Sequence, residues 1–451
     1  MTQCVNTPDP ALVARYRTRA PRYTSYPTAP QFRPVTDAEL RGGLARGDGP
    51  ISVYVHVPFC VRRCHYCGCH VEIQGNRDIG DVYVDDLLAE ARLWRAGMKD
   101  GRGLGQLALG GGTPTFLKPA ALRRLYAGLT ELWPRVPGEG VELAIEVDPR
   151  TVKPEDLDNI VDIGFTRVNL GVQDVDETVL QAVNRPQPFE LVEAAVRRLR
   201  DNGLDDVGVD LVYGLPMQTA ESFQRTLDAV ASVKPTRIAL FQYAHVPWLK
   251  PAQKLLERYP RPDSEARTAM WGQARRELGA AGYVEIGMDH FAVPGDSLVQ
   301  AREEGTLQRN FEGYTTHGGL DLLGLGVSAI GYFGGVYAQN RKEREAWRAD
   351  VAAGRFPTER GWVLGEDDQL RRRVIMEIFC NGRTELSAAE AAQLQEPLAR
   401  LGPMVADGML VVEADAVQVT PLGRFFLRNI CAVFDRYLEE DAPTRRYSET
   451  A

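Results

Sequence analysis

The feature that most constrains this fold is a repeated order of apolar strand, loop and helix-period stretch, which begins near residue 50. Strands that alternate with helices pair in parallel, because each helix carries the chain back across the sheet before the next strand starts. Six such units predict an α/β fold of the TIM kind, a partial (β/α)6 barrel, and an open doubly wound sheet is the alternative. The predicted strands are residues 52–59, 106–110, 143–149, 167–173, 207–214 and 237–244.

The segments on either side of this repeat follow other patterns. Residues 1–48 are interpreted as an N-terminal arm, because PRYTSYPTA has neither helix nor strand period. After residue 345 the sequence predicts a helix at 367–380, a helix capped by Ser387 and Glu390, a hairpin and a last helical run. The predicted division is an arm (1–48), a barrel (49–345) and a small helical, winged-helix-like C-terminal domain (346–451).

Composition and charge exclude several functions. With 44% hydrophobic and 25% charged residues, the chain of 451 residues can bury a large core and does not have the composition of a disordered protein. A net charge of −8 argues against a nucleic-acid binder, and the middle helix of the last domain lacks the basic residues of a DNA reader. No apolar run nears the roughly 20 residues of a membrane span, and the N-terminus lacks a signal core. We therefore expect a cytoplasmic protein without a membrane partner.

Four of the seven cysteines lie within ten residues, in Cys60-Val-Arg-Arg-Cys64-His-Tyr-Cys67-Gly-Cys69. This run directly follows the first strand, and loops after the strands form the reactive face of a parallel barrel. Three thiolates spaced CxxxCxxC can hold three irons of a 4Fe-4S cluster and leave the fourth iron open. Structural zinc is the main metal alternative, although it prefers paired CxxC knuckles, and bare thiols are the third. Cys69 is a ligand in principle, a redox reserve or a packed thiol.

Polar and glycine residues follow the later strands at the same ends as the cysteines. Glycines 110–112 precede Thr113, and consecutive glycines let a ligand approach the backbone, although a tight turn explains them equally well. The period of two along the first strand places Tyr54 and His56 on one face. Each residue alone is explained by a cap or a local hydrogen bond, so the informative observation is their common position. The residues that follow the later strands are Glu146, Gln173, Asp210, Ala244 and His245.

These motifs resemble the radical S-adenosylmethionine (SAM) enzymes, and more specifically the oxygen-independent coproporphyrinogen III oxidases of haem synthesis. CxxxCxxC with GGGTP is typical of the wider superfamily, whereas the arm and the Cys-Gly-Cys ending are more specific. Leu107-Ala108-Leu109 and His70 depart from the expected pattern; neither departure touches the cysteine ligands, but both would bear on a second SAM site or on the surroundings of the cluster. The similarity runs through PRYTSYPTA (21–29), YVHVPFC (54–60), IEVDPR (145–150), DLVYGLP (210–216), GMDHFA (287–292), RNFEGYTT (309–316) and RNICAVFDRYL (428–438).

The resemblance implies cofactors and roles for named residues. Cys60, Cys64 and Cys67 would bind a 4Fe-4S cluster, Cys69 would not be a core ligand, and SAM would chelate the open iron. Tyr54 and His56 would be catalytic, with core packing as their alternative role. The positions that match a first SAM site are Tyr54, Gly111, Glu146, Ala244 and Ile330. The positions that match a second SAM site are Tyr66, Gly112, Thr113, Gln173, Arg185 and Asp210.

The implied activity is the oxidative decarboxylation of coproporphyrinogen III to protoporphyrinogen IX in anaerobic porphyrin biosynthesis, which turns two propionates into vinyl groups. The substrate carries four carboxylates and therefore needs cationic partners, for which Arg22 and Arg309 are favoured over Arg63. The resemblance also implies an electron donor such as flavodoxin or ferredoxin and a monomeric enzyme in the cytoplasm. It does not imply a particular terminal electron acceptor.

Three other functions remain open from the sequence. One is a haem-trafficking chaperone of the same superfamily, which we expect to lack the arm, Cys69 and GMDHFA. Another is a different radical SAM tetrapyrrole enzyme, for example a methyltransferase that opens the haem ring. The third is a zinc protein without enzymatic activity.

Overall fold

The computed structural model describes residues 8–137, 140–413, 415–440 and 447–450, and the centre of this described part is one sheet of twelve strands. The six predicted strands are present and pair in parallel in chain order, which confirms the partial (β/α)6 barrel. The strands of this part are β1 (Ile51–Val57), the short β2 (Phe59–Cys60) and β3 (Glu72–Ile73), β4 (Leu104–Gly111), β5 (Glu142–Val147), β6 (Arg167–Gln173), β7 (Val207–Tyr213) and β8 (Arg237–Gln242).

Helices occupy the intervals between these strands, as the sequence pattern predicts. Gly203 follows one of them in the left-handed conformation with φ +87°, which is the C-terminal glycine expected from the sequence. The helices up to β8 are α1 (Pro10–Arg15) and α2 (Asp37–Arg46) in the arm, followed by α3 (Ile79–Ala96), α4 (Pro119–Leu132), α5 (Pro154–Ile163), α6 (Glu177–Ala182), α7 (Phe189–Asp201) and α8 (Ala220–Val233).

The core of the barrel lies between the strands and these helices. Val53, Val55 and Val57 of β1 are fully buried in an apolar cluster that includes Leu87 of α3. Tyr54, at the alternate position, lines a cavity inside the barrel instead. The period of two therefore separates an apolar face toward the helices from a polar face toward the lumen, where the site lies.

The sheet continues past the six units at both edges and does not close. β13 pairs in parallel with β1, and antiparallel strands follow it at one edge, while β10 and β9 extend the other edge beyond β8. The elements of this part are α9 (Ser264–Ala280), β9 (Val284–Ile286), β10 (His290–Ala292), α10 (Ser297–Glu303), β11 (Gln308–Asn310), β12 (Gly313–Thr315), β13 (Asp321–Leu325), β14 (Ile330–Phe333), β15 (Val336–Asn340), α11 (Arg344–Ala352) and β16 (Thr358–Val363).

A buried carboxylate fixes the loop after β13 against the barrel. Glu90 of α3 accepts hydrogen bonds from the Gly326 N–H at 2.8 Å, Asn340 Nδ2 at 2.6 Å and Trp347 Nε1 at 3.1 Å. A buried carboxylate with several donors joins the elements that supply them. Glu90 thus ties α3 to β15 and α11, and this contact positions the seventh parallel strand.

The C-terminal part is a helical body with a three-stranded sheet. The predicted helix, the capping box of Ser387 and Glu390 and the hairpin are all present. The last predicted helical run, residues 422–438, is instead broken into a 3-10 turn and two short helices. The elements are α12 (Glu366–Asn381), β17 (Arg383–Glu385), α13 (Ala388–Gln393), α14 (Gln395–Arg400), α15 (Gly402–Ala406), β18 (Leu410–Val412), β19 (Ala416–Val419), α16 (Leu427–Ala432) and α17 (Tyr437–Glu440).

The N-terminal arm packs between the barrel and the C-terminal body. Tyr23 and Tyr26 are buried, and the Tyr23 hydroxyl donates to Asp435 at 3.0 Å. Arg22, which precedes Tyr23, points the other way and donates through Nη2 to the Gln242 carbonyl of β8 at 2.7 Å. No helix within the described ranges has the length and apolar character to cross a membrane.

Candidate active site

A cavity of about 700 Å³ opens at the carboxyl ends of the parallel strands. The loop of four cysteines forms one wall, and the ends of β4 to β8 form the floor together with the hairpin of β11 and β12. Loops after parallel strands carry the reactive groups of such barrels. The cavity is therefore where the chemistry of this fold is expected.

The backbone of the cysteine loop is held by hydrogen bonds to neighbouring segments. β2 pairs with β3 at the start and end of the loop. The His65 N–H donates to the Val183 carbonyl at 3.0 Å, and Asn184 Nδ2 donates to the Arg63 carbonyl at 2.8 Å. These contacts tie the cysteine loop to the neighbouring segments of the protein.

Cations and a hydroxyl group contact the cysteine sulfurs directly. Arg150 Nη2 and Arg185 Nη1 each lie 3.4 Å from the Cys64 sulfur, and the Thr113 hydroxyl lies 3.5 Å from the Cys60 sulfur. Positive charge beside a sulfur stabilises the thiolate, which is the form that binds metal.

The remaining two cysteines interact with each other. The Cys69 N–H donates to the Cys67 sulfur at 3.4 Å. Hydrogen bonds from Cys69 lower the pKa of Cys67 to about 6 against the effect of burial, whereas burial raises the pKa of Cys60 to about 11. Cys69 therefore acts on the sulfur of Cys67 through its thiol and through its backbone N–H.

The donor set fits a cluster better than a single ion. Cys60, Cys64 and Cys67 all line the same cavity. Among the described residues, however, no three Cys, His, Asp or Glu side chains are arranged so that they could bind one metal ion together. A 4Fe-4S cube binds each thiolate at a different iron, so it needs a wider spacing than tetrahedral zinc.

The GGGTP loop packs against the strand that precedes the cysteines. Gly111 has φ +109°, and a Cβ on it would lie 2.5 Å from the His56 ring, while a Cβ on Gly112 would lie 2.7 Å from the Pro58 backbone. The Gly111 N–H donates to Glu146 Oε2 at 3.1 Å. The glycines are thus required by close packing, and this packing places Thr113 beside the Cys60 sulfur.

The structure brings most of the predicted cofactor residues to one cavity. Tyr54 lines an adjoining cavity of about 150 Å³ that Glu146 and Asp210 share. Ile330 lies at the start of β14 and packs against Phe32 and Tyr337 instead of lining either cavity. The predicted residues that line the larger cavity are Tyr66, Gly111, Gly112, Thr113, Glu146, Gln173, Arg185, Asp210 and Ala244.

Tyr54 and His56 form a hydrogen-bonded pair below the cavity. The Tyr54 hydroxyl lies 3.1 Å from His56 Nδ1, and His56 Nε2 lies 2.9 Å from the His70 carbonyl. Burial lowers the pKa of His56 to about 4, so the ring is neutral and carries its single proton on Nε2, facing the carbonyl. Nδ1 is then the acceptor, and the Tyr54 hydroxyl donates to it.

Two residues of the site, Asp148 and Glu312, were missed by sequence reasoning. Asp148 accepts from Arg150 Nε at 3.0 Å and lies 3.4 Å from Arg185 Nη2, so it holds the two cations that contact Cys64. Glu312 lines both cavities, its buried Oε1 has no hydrogen-bond partner among the described residues, and burial raises its pKa to about 8. Both residues lie in the IEVDPR and NFEGYTT motifs, which were the only sequence signal.

The three arginines expected to bind carboxylates differ in their surroundings. Arg309 lines the large cavity, and it already donates to Asp289 at 2.9 and 3.0 Å, so its role as a carboxylate partner stays a prediction. Arg63 is exposed and donates to the Val71 carbonyl. Arg22 lines the large cavity, and apart from its bond to Gln242 its N–H groups have no partner among the described residues.

Comparison with known proteins identifies the family to which a barrel with this cysteine loop belongs. Residues 54–230 match the family model of the Radical SAM superfamily. The oxygen-independent coproporphyrinogen III oxidases of Salmonella typhimurium and Escherichia coli K12 are each 40% identical to this chain, over 98% of both chains. The solved structure of coproporphyrinogen III oxidase (HemN) from Escherichia coli superposes with a TM-score of 0.91 at 39% identity, covering 97% of this chain and all of that one.

A partial barrel with a CxxxCxxC loop at the carboxyl ends of its strands, matched by the superfamily model, is a radical SAM enzyme. With relatives this similar over nearly the full length, the chain belongs to the family of oxygen-independent coproporphyrinogen III oxidases.

Proposed function

We propose that the protein converts coproporphyrinogen III to protoporphyrinogen IX by oxidative decarboxylation of two propionates to vinyl groups. The observation that carries the proposal is the convergence of Cys60, Cys64 and Cys67 on one cavity, at the strand ends of a chain similar end to end to enzymes of that name. When bound, the cluster and SAM would supply the radical chemistry for removing a hydrogen atom from the propionate β-carbon; loss of carbon dioxide and of one electron to a terminal acceptor would then leave a vinyl group.

Cys60, Cys64 and Cys67 hold the cluster in this proposal. Support comes from their shared cavity, from Arg150 and Arg185 beside Cys64, and from the N–H of Cys69 that points at the Cys67 sulfur. N–H and guanidinium contacts at ligand sulfurs tune a cluster without replacing a ligand.

Two groups of residues bind SAM in this proposal. Tyr54, Gly111, Glu146 and Ala244 serve the first molecule, next to the cluster, and the carboxylate of Glu146 is oriented by the Gly111 N–H. Ile330 begins β14 close to Gly324, and Gly324 in turn pairs with Tyr54 across β13 and β1. The residues proposed for a second SAM are Tyr66, Gly112, Thr113, Gln173, Arg185 and Asp210.

His56 acts as a positioning residue for Tyr54. A neutral imidazole whose N–H donates to the His70 carbonyl can accept a hydrogen bond from the Tyr54 hydroxyl. It then has no proton left to donate to a ligand. The pair fixes the tyrosine ring below the cavity, so Tyr54 is the member that can touch a cofactor or the radical's path.

An acidic electron carrier of the flavodoxin or ferredoxin type docks at the cysteine loop in this proposal. Val61 is 53% exposed between two of the ligand cysteines, and the exposed Arg62 and Arg63 follow it. Local positive charge on a chain of net charge −8 favours an acidic partner at this point.

The remaining expectations complete the proposal. The enzyme is a cytoplasmic monomer with an arm (1–48), a barrel (49–345) and a C-terminal domain (346–451). β16, which falls within residues 346–451, pairs with β15 of the sheet, so the proposed C-terminal domain is joined to the barrel through the backbone. Size-exclusion chromatography with light scattering tests the oligomeric state.

Anaerobic reconstitution followed by turnover tests the function. Wild-type protein is expected to bind iron and sulfide, to cleave SAM and to release carbon dioxide with vinyl product, and Cys64→Ser protein is expected to do none of these. A Cys64→Ser protein that kept the cluster and cleaved SAM at the wild-type rate would overturn the assignment. Mass analysis of the porphyrin separates the rivals, because a haem chaperone yields only bound haem and a methyltransferase yields a methylated product.

A further inference from the structure

A second, smaller cavity adjoins the large one where the arm, the barrel and the C-terminal body meet. Its volume is about 80 Å³, and Arg22 and Gln242 line it as well as the large cavity. At roughly 30 Å³ per water molecule, this space holds two or three waters or a carboxylate with its neighbouring methylene groups. We name it the arginine recess, after the residues Arg22, Arg267 and Arg428 that line it.

The guanidinium groups of the arginine recess have little negative charge near them. Arg428 donates to the backbone carbonyls of Ala20, Pro21, Ser448 and Glu449, and not to a carboxylate. Arg22 has its single bond to the Gln242 carbonyl. These two cations therefore lack an ionised partner among the described residues.

The remaining charged groups do not neutralise the recess. Arg267 lies 3.5 Å from a Glu449 carboxylate oxygen, and its buried Nε has no partner among the described residues. Arg424 adds a further cation to the lining. Asp289 also lines the recess, but its two oxygens accept from Arg309, and His290 Nδ1 lies 2.7 Å from one of them.

Removing a cation from water without an anionic partner costs free energy, and an anion that pairs with the cation offsets that cost. Burial lowers the pKa of Arg22, and burial together with the charge of Arg22 lowers the pKa of Arg428 to about 9. Desolvation is the largest cause of both shifts, and for Arg22 the charge of Asp289 offsets it only in part. An anion in the recess would form charge-assisted hydrogen bonds with guanidinium groups that are already in place.

We propose that the arginine recess binds one carboxylate of the porphyrinogen substrate, from a propionate that is kept and not decarboxylated. This inference rests on the proposed function, because it takes the substrate from there. Neither the four cysteines nor the GGGTP loop lines the recess, so a carboxylate bound in it lies apart from the residues that hold the cluster. Leu240, Trp271 and Met288 supply an apolar wall for the methylene groups of the same propionate.

The arginine recess thereby gives the substrate a fixed orientation. With one retained propionate bound at Arg22, the opposite edge of the macrocycle extends into the large cavity toward the cluster loop. Specificity then depends on the recess accepting a chain with a terminal carboxylate and rejecting an uncharged one, because buried cations discriminate strongly against a neutral group.

Binding of coproporphyrin III, the stable oxidised form of the substrate, tests the proposal by fluorescence titration under anaerobic conditions. Arg22→Met is expected to weaken binding roughly tenfold or more, as for the loss of a charge-assisted hydrogen bond, and Arg22→Lys is expected to lie between it and wild type. The matched control is Arg33→Met, because Arg33 belongs to the same arm but stacks on Trp362 and lines neither cavity. Equal affinities for wild type and Arg22→Met would overturn the proposal.

A measurement on the unaltered protein keeps the test independent of folding. Phenylglyoxal labels arginines, and labelling of Arg22 mapped by mass spectrometry is expected to fall when coproporphyrin III is bound and to stay unchanged with its tetramethyl ester. Protection by the ester to the same extent, or no protection by the acid, would contradict a carboxylate site.

Failure of this inference is distinguishable from failure of the proposed function. Cluster content and SAM cleavage in the absence of substrate depend on the cysteine loop and not on the recess. If wild-type protein cleaves SAM while Arg22→Met binds coproporphyrin III normally, the recess assignment alone is wrong. If wild-type protein binds no cluster, the proposed function fails and the recess loses its substrate.

Discussion

The backbone N–H of Gly111 donates to Oε2 of Glu146 at 3.1 Å, across the ends of the neighbouring strands β4 and β5. The same glycine has φ +109° and lies against the His56 ring, so one residue connects the cofactor floor to the strand that leads into the cysteine loop. Both contacts depend on the absence of a side chain at Gly111.

Gly111→Ala is expected to damage the site beyond the ordinary strain of the backbone. A left-handed conformation costs a non-glycine residue about 1–2 kcal/mol, and overpacking against His56 adds about 1–3 kcal/mol. We expect a lower midpoint of thermal unfolding and reduced iron content after reconstitution.

The matched control is Gly164→Ala at the end of α5. Gly164 has φ +93°, and nothing lies within 4 Å of a Cβ built on it, so this variant carries the backbone strain alone. Iron content should therefore stay at the wild-type level in Gly164→Ala. Equal losses of iron in both variants would mean that contact with His56 is unimportant for the cluster.

Cys69→Ser is expected to retain the cluster. Cys69 contacts the Cys67 sulfur through its backbone N–H and its thiol, and a serine keeps that N–H and offers a hydroxyl donor in place of the thiol. Iron and sulfide contents should match wild type, while the reduction potential is free to shift. Loss of the cluster in Cys69→Ser, to the level seen in Cys67→Ser, would make Cys69 a ligand.

The fold follows from the sequence wherever one periodic pattern decides it. The six parallel strands and the helix at α12 were predictable, because alternating strands and helices allow few arrangements. β13 was missed, since it lies far along the chain from β1 and its position depends on the buried Glu90 contacts with Gly326 and Asn340. The helical run 422–438 is interrupted at Asp435, which accepts a hydrogen bond from the Tyr23 hydroxyl of the arm. This tertiary contact cannot be read from the periodicity of the sequence.

The site was predictable in its residue types but not in its pairings. The strand ends identified Glu146, Gln173 and Asp210, which all line the large cavity. The sequence could not show that Arg309 pairs with Asp289, because the contact joins the turn between β9 and β10 to β11, 20 residues further along the chain. The same limit hides the arginine recess, whose cations come from the arm, α9 and the C-terminal body.

Charge reversal at the cysteine loop is expected to slow only protein-mediated reduction. Arg62→Glu with Arg63→Glu opposes an acidic carrier at the exposed loop, so the rate of cluster reduction by flavodoxin or ferredoxin should fall roughly tenfold or more at low salt. Dithionite, a small reductant, should reduce the variant nearly as fast as wild type. Arg198→Glu on α7, where Arg198 pairs with Asp158, is the control. Equal slowing with both reductants would show damage to the cluster itself.

The ion pair of Asp289 and Arg309 makes stability depend on acid. Burial by itself raises the pKa of Asp289, but the charges of Arg309 and His290 outweigh it and hold that pKa well below its ordinary value. A carboxylate with a lowered pKa in the folded state stabilises the fold above the ordinary pKa, about 3.9, and loses that contribution as the pH falls below it. Wild-type protein should therefore lose stability as the pH drops from about 5 toward 3.

Asp289→Asn removes this pH dependence, because the amide does not titrate. It also leaves Arg309 buried without a charged partner. We expect the variant to be less stable than wild type by about 3–5 kcal/mol at neutral pH, as for other broken buried pairs. The difference should narrow as the pH falls below about 4, because the Asp289 carboxylate takes up a proton there in unfolded wild-type protein but stays ionised in the folded protein. Urea unfolding followed by tryptophan fluorescence across this pH range measures both effects. A difference that stayed constant down to the lowest pH would mean that Asp289 is not held ionised by Arg309.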